Sequence, residues 1–239
     1  MEDKEKHPVL YLIPSGLGNI RPSEVLPQVV KETLRRCRHF IVEDVRTARR
    51  FIRSVDKSIG IDQLKFFLLN EHTQAMEIPG LLEPLHQGYD MGLLSEAGLP
   101  CVADPGSLLV SLAHQAGFVV KPLPGASSIM LGLMASGFNG QKFIFHGYLP
   151  VDKRSRKQKI REMEADMMQH DRTQILIETP YRNNQLVQSL VTTCKPSTLL
   201  CIASNLTTEQ EKITVKSIAY WKERMPDLNK IPAVFLLYY

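Results

Sequence analysis

Short apolar runs recur through the first half of the chain, at Val9–Ile13, Phe40–Val42, Phe66–Leu69, Met91–Leu94 and Val119–Leu123, with amphipathic segments between most of them. Runs this short, bounded by turn residues, read as strands buried on both faces. The intervening segments are long enough for crossover connections, which favours a mainly parallel, doubly wound sheet with helices on both faces. After Pro124-Gly125 the rhythm changes: a helix over Ser127–Ser136, a strand at Lys142–Phe145, a charged helix over Ser155–His170, and strands at Gln174–Ile177 and Leu199–Ala203. A closing strand pair is expected from ITVKSIAYW and IPAVFLLYY, joined through Pro226–Lys230, which gives the second half an antiparallel or mixed sheet. The pattern predicts two α/β domains, residues 1–120 and 121–239, each large enough for its own core.

Composition narrows the class. Hydrophobic residues make up 44% and charged residues 23% of the 239 positions, as in ordinary globular proteins, and no apolar stretch approaches a membrane span. The opening MEDKEKHPVLYLIPSG lacks the cationic start and apolar core of a signal peptide, so a cytoplasmic location without membrane insertion is expected. Cys37, Cys101, Cys194 and Cys201 show no paired spacing, which points to reduced thiols and no metal site. The net charge of +4 is modest, but basic residues cluster at Arg35, Arg36 and Arg38, at Arg46, Arg49, Arg50 and Arg53, and at Lys153, Arg154, Arg156, Lys157, Lys159 and Arg161. Such clusters suit a polyanionic partner and equally suit solvated helix faces.

The chemistry-bearing residues gather where strands end. The first strand runs into Pro14-Ser15-Gly16-Leu17-Gly18-Asn19, which permits tight turns but lacks the dinucleotide fingerprint. The second ends in Glu43-Asp44 followed by Arg46-Thr47, a set that can position a hydroxyl or a cationic cofactor, or simply begin a helix. The third ends in Asn70-Glu71-His72-Thr73, where His72 is the histidine best set for proton transfer. The fourth opens into Ser95-Glu96-Ala97-Gly98-Leu99-Pro100 and continues to Asp104-Pro105-Gly106. In open parallel sheets ligands sit at this carboxyl edge, so four such ends together predict a binding crevice there.

In collinear order, LYLIPSGLGNI, VEDVRT, NEHT, LLSEAGLPCVADPG, PLPGASS, FIFHGYLP, ETPYR and SNLT resemble the tetrapyrrole methylase superfamily, and within it the branch of small-subunit ribosomal RNA cytidine-2′-O-methyltransferases. The resemblance implies S-adenosyl-L-methionine as methyl donor, held in a cleft between two α/β domains, and a homodimer. Carried over by position, it places Pro14, Gly16, Gly18, Ser95, Glu96, Ala97, Gly98, Leu99, Pro100, Pro124, Gly125 and Ser127 at the donor, with Thr179, Leu206, Pro232 and Ala233 in an adenine pocket. HGYLP followed by the basic run Lys153–Arg161 resembles that branch's RNA-contacting segment, implying small-subunit ribosomal RNA or the subunit as partner. Members of the branch typically continue past the point matching IPAVFLLYY into a basic extension. The chain departs from the branch's pattern at Glu96 and Leu99, at Ala103, and at Asn70 and Thr73.

Methyl transfer from a sulfonium needs donor and acceptor held in line, and a ribose hydroxyl gains from a base that takes its proton. His72 or Glu71 is the expected base, with Asp44 and Arg46 orienting the sugar or a phosphate. Two other functions fit the residues: carbon methylation of a tetrapyrrole precursor or other small molecule, and a non-catalytic donor-binding, RNA-associated factor.

Overall fold

The computed structural model describes residues 7–18 and 22–239. The first six residues, Asn19 and Ile20, whose sequence entered the expectations above, lie outside them. Two compact units divide the chain after Ala126.

In the first unit the elements run β1 (Val9–Ile13), α1 (Pro22–Val25), α2 (Gln28–Arg36), β2 (His39–Val42), α3 (Val45–Val55), β3 (Lys65–Leu68), α4 (Glu83–His86), β4 (Met91–Leu94), α5 (Ser107–Gln115) and β5 (Val119–Pro122). The strands form one sheet in the order β3-β2-β4-β1-β5, and every pairing is parallel. Period-two alternation divides the apolar side chains between two layers. Tyr11, Ile13, Phe40, Val42 and Leu94 pack with Val30, Leu34, Ala48 and Ile52, buried apolar residues of α2 and α3. Leu10, Ile41, Met91 and Leu93 pack on the other face with Leu82, Leu85, Leu109 and Ala113 from the α4 and α5 region. Strands β2 and β4 are buried at every residue, whereas the edge strands β3 and β5 are not, which explains the unbroken apolar runs of the former.

The second unit contains α6 (Ser128–Ser136), β6 (Phe143–Tyr148), α7 (Lys153–His170), β7 (Thr173–Ile177), α8 (Asn183–Val191), β8 (Leu199–Ser204), β9 (Lys212–Ser217), α9 (Ile218–Glu223) and β10 (Ala233–Tyr238). Its sheet, β6-β7-β10-β8-β9, is mixed: β6 and β7 run parallel and the other pairs antiparallel. Helices α7, α8 and α9 cover one face through Ile160, Met163, Met167, Leu186, Leu190 and Trp221.

Two sequence expectations are corrected. Strand β5 and the Pro124-Gly125 turn belong to the first unit, because Val119–Pro122 pairs along β1. The segment ITVKSIAYW is not one strand: Ser217 accepts a hydrogen bond from the Tyr220 N–H and starts α9, which buries Ile218 and Trp221. Strands β9 and β10 therefore lie on either side of β8 rather than pairing with each other.

Candidate functional site

Because all strands of the first sheet are parallel, their carboxyl ends deliver every following loop to one edge. There the β1 and β4 loops are tied together. Ser15 and Ser95 are 3% and 5% exposed. The Gly98 carbonyl accepts both the Ser15 N–H at 2.9 Å and the Ser95 hydroxyl at 2.7 Å. That fold-back needs Gly98 at φ +74°, where a side chain is strained. A third loop joins through Gly125, whose missing Cβ would stand 2.3 Å from Pro14 Cβ, so only glycine permits the approach. Pro14, Gly16, Gly18, Ser95–Pro100, Pro124 and Gly125 are thus drawn to one backbone-rich edge, apart from any side-chain ligand set. The loop beyond it holds Cys101 (φ 65°) and Ala103 (φ 61°) in left-handed conformations, strain of the kind that recurs at binding sites.

Three carboxylates face one another at the same edge. Glu43, the first residue after β2, shares a small recess with Thr47, Phe51, Leu94, Ser95 and Glu96. Burial, with the charges of Asp104 and Glu96, pushes its carboxyl up to about 7, against a hydrogen bond from the Glu96 backbone that lowers it. Asp104 is raised to about 6 by burial and by Glu96, and its Oδ2 is buried without a partner among the described residues. Glu43 is thereby a group able to take up or hold a proton near neutrality.

The residues favoured from sequence lie differently. Asp44 caps α3, accepting the Thr47 N–H at 2.7 Å, and that bond holds its carboxyl below the usual range. Arg46 is exposed on the first turn of α3. Glu71 and His72 follow the edge strand β3, are 86% and 84% exposed, and stand 3.6 Å apart. The structure brings Glu43 and Asp44 into one recess with the start of the β4 loop, and Arg46, Glu71 and His72 do not line it. The available signal for Glu43 was its place immediately after a strand buried on both faces.

In the second unit β7 and β8 run the same way and β10 runs back between them, so the segments after β7 and β8 and before β10 share an edge. Buried Glu178 accepts the Thr179 N–H at 2.7 Å and the Arg182 guanidinium at 2.6 Å. The Asn205 N–H donates to the Pro232 carbonyl at 3.0 Å, the Lys230 N–H to the Pro180 carbonyl at 3.1 Å, and the Asn183 side-chain amide to the Ile231 carbonyl at 2.6 Å. These bonds bring Thr179, Leu206, Pro232 and Ala233 to one rim. Leu206 is buried, and the neighbouring Thr207 hydroxyl is buried without a partner among the described residues. Ser127 caps α6 through the Met130 N–H.

The basic run on α7 splits in two. Lys153, Arg154 and Arg161 are exposed, and Lys157 and Lys159 half-buried. Arg156 is 3% exposed and donates to Ser189 Oγ at 3.0 Å and to the carbonyls of Val151 at 2.8 Å and Pro150 at 3.3 Å. It locks the entry to α7 onto α8 and is removed from the RNA-contacting set.

Comparison with known proteins places the chain in a family. The chain is 29% identical to the ribosomal RNA small subunit methyltransferase I of Haemophilus influenzae over 96% of its own length and 78% of the relative's. It is 31% identical to the protein of that name from Synechocystis over 91% and 75%. Among solved structures, a cobalt precorrin-4 methyltransferase of cobalamin biosynthesis superposes with a TM-score of 0.64 at 15% identity, covering 100% of this chain and 98% of that one. A uroporphyrin-III C-methyltransferase from Thermus thermophilus, complexed with S-adenosyl homocysteine, gives 0.57 at 16% identity over 96% of each. Residues 9–220 match the family model of the tetrapyrrole (corrin/porphyrin) methylases, and with relatives above 30% identity over most of its length the chain belongs to that family.

Proposed function

We propose that the protein is an S-adenosyl-L-methionine-dependent methyltransferase that methylates a ribose 2′-hydroxyl of small-subunit ribosomal RNA. The observation that carries this reading is the gap between its relatives: 27–33% identity to ribosomal RNA methyltransferases against 15–18% to tetrapyrrole enzymes of the same fold. The exposed cations of α7 support it, since phosphate contacts add affinity without reading sequence.

The residues present fit the donor. In the first unit, glycine-permitted backbone at Pro14, Gly16, Gly18, Ser95–Pro100, Pro124 and Gly125 suits the donor's amino-acid end; in the second unit, the family resemblance assigns Ser127, Thr179, Leu206, Pro232 and Ala233 to its adenosine. Bound there, S-adenosyl-L-methionine supplies an electrophilic methyl carbon. Glu43 accepts the proton of the attacking hydroxyl, and its placement against Glu96 and Asp104 keeps its basicity near the working pH. Asp44 and Arg46, at the start of α3, orient the sugar or a phosphate, and His72 or Glu71, after β3, is the alternative base. Lys153, Arg154, Lys157, Lys159 and Arg161 hold the RNA backbone. The protein acts as a cytoplasmic homodimer, a state that Met130 and Met134, exposed on α6, leave room for.

The test is transfer of radiolabelled methyl to small ribosomal subunits from cells lacking the protein, followed by nucleoside analysis. Label in a 2′-O-methylated nucleoside is the expected result. Label transferred only to a uroporphyrinogen-type substrate, or donor binding without product, would overturn the reading. Glu43→Gln should lower turnover about a hundredfold with donor affinity kept. If it retains turnover while His72→Ala loses it, the base is His72.

A further inference from the structure

The sheet of the first unit has a second edge, where its strands begin, and a separate recess opens there. Arg36, Arg38, His39, Gly88, Tyr89 and Asp90 line about 190 Å³. His39 opens β2 and Asp90 immediately precedes β4, so the parallel pairing of these strands sets the two side by side. His39 is 6% exposed, yet its Nδ1 has no hydrogen-bond partner among the described residues. Folded proteins pair nearly all such atoms with protein, water or ligand. Burial, and then the charge of Lys65, lowers its pKa, so the ring adds no positive charge to the recess at pH 7.

The other groups divide into spent and free. Asp90 is spent: Oδ1 accepts the Val9 N–H at 2.9 Å and Oδ2 lies 3.6 Å from Arg36 Nε. Arg36 also covers the Tyr11 ring at 4.8 Å. Arg38 gives one terminal nitrogen to the carbonyls of Arg35 and Cys37, and the rest of its fork is uncommitted among the described residues. Tyr89 packs on His39 with ring centroids 4.9 Å apart and remains 53% exposed.

An exposed aromatic ring and a partly free guanidinium at one recess are the groups that hold an unpaired nucleotide: the base stacks and the phosphate meets the fork. A closed phosphate cradle is missing from the recess as described, which suits a strand passing across it better than a captured mononucleotide. We propose that this recess binds one unpaired nucleotide of the RNA substrate, at the sheet edge opposite the one that carries Glu43. The proposal rests on the reading of RNA as substrate.

Binding of a fluorescein-labelled short single-stranded RNA, followed by anisotropy, tests it on the whole chain. Tyr89→Ala should weaken binding about tenfold, within the range for loss of one base stack, and Tyr89→Phe should keep it. Arg38→Ala should weaken binding with a shallower salt dependence. Donor affinity by calorimetry should be unchanged in all three, which shows the fold intact. Wild-type affinity in both alanine variants overturns the proposal. So does Tyr89-dependent binding of cytidine monophosphate with an oligonucleotide affinity indifferent to Tyr89, which would assign the recess to a free nucleotide. Methyl transfer separates the two readings. Turnover on subunits with RNA affinity independent of Tyr89 and Arg38 removes this inference alone, and Tyr89-dependent RNA binding without turnover removes the methylation reading alone.

Discussion

Glu43 ionises near pH 7 in the folded chain and near 4.5 when solvated, so its charge opposes folding over the pH range in which the protein works. A folded-state pKa raised in this way leaves stability intact below the unfolded value and removes it as pH climbs through the folded one. At about 1.4 kcal/mol per pH unit the interval corresponds to about 3.4 kcal/mol as a ceiling. Glu43 is only partly buried, and solvent screening brings the expected cost to about 1–2 kcal/mol. Glutamine keeps an oxygen for the Glu96 N–H and never ionises. Glu43→Gln should therefore gain on the wild type between pH 5 and pH 8.5, by about 2–8 °C in melting temperature for a chain of this size. Calorimetry at the two pH values records the unfolding of both units. The chain's one tryptophan, Trp221, lies in the second unit, so its fluorescence gives a separate record of that unit. Asp104→Asn, which deletes a charge facing Glu43, should reduce the gain when combined with Glu43→Gln. The same melting difference at pH 5 and pH 8.5 would refute the argument, because it would mean that Glu43 titrates alike folded and unfolded.

The same ionisation sets a rate profile: turnover should rise with pH through about 7 in the wild type and be flat in Glu43→Gln, read from initial rates at saturating donor. Gly125→Ala must displace Pro14 or itself, and should cost about 1–3 kcal/mol in urea unfolding together with a loss of donor affinity by calorimetry. Arg156→Ala leaves Ser189 and two carbonyls without their donor and should cost about 2–3 kcal/mol in urea unfolding. Lys153→Ala with Arg154→Ala should leave stability alone and flatten the salt dependence of RNA binding by about 0.7 for each phosphate no longer neutralised.

Where the sequence was legible, the physics was local. A run such as Met91–Leu94 that stops at Ser95-Glu96 is fully apolar because a central parallel strand is covered on both faces, and its neighbours Val9–Ile13 and Phe40–Val42 read the same way for the same reason. The C-terminal pairing was misread because ITVKSIAYW carries strand-forming residues on both sides of Ser217, and the cap that turns the second half into α9 is a single hydroxyl. The perturbed acidity of Glu43 was not legible beside Asp44 for a longer-range cause. A capping aspartate is visible from its neighbours, but the burial and the Asp104 and Glu96 charges that raise Glu43 come from a loop more than fifty positions on.

Arg156 shows what counting charge without phase conceals. Six cations between Lys153 and Arg161 read as one basic patch, yet Arg156, Ile160, Met163 and Met167 recur at helical spacing and form the buried stripe of α7. The apolar members were plain in the sequence, and extending their phase by one turn toward the N-terminus lands on Arg156. Its guanidinium can lie there only because Ser189 and the carbonyls of Pro150 and Val151 accept from it, partners that no pattern along α7 announces. Removing it from the basic patch sharpens the RNA reading: the cations that remain lie outside the buried stripe, and a surface built to meet a phosphate backbone requires its charges there rather than in the core.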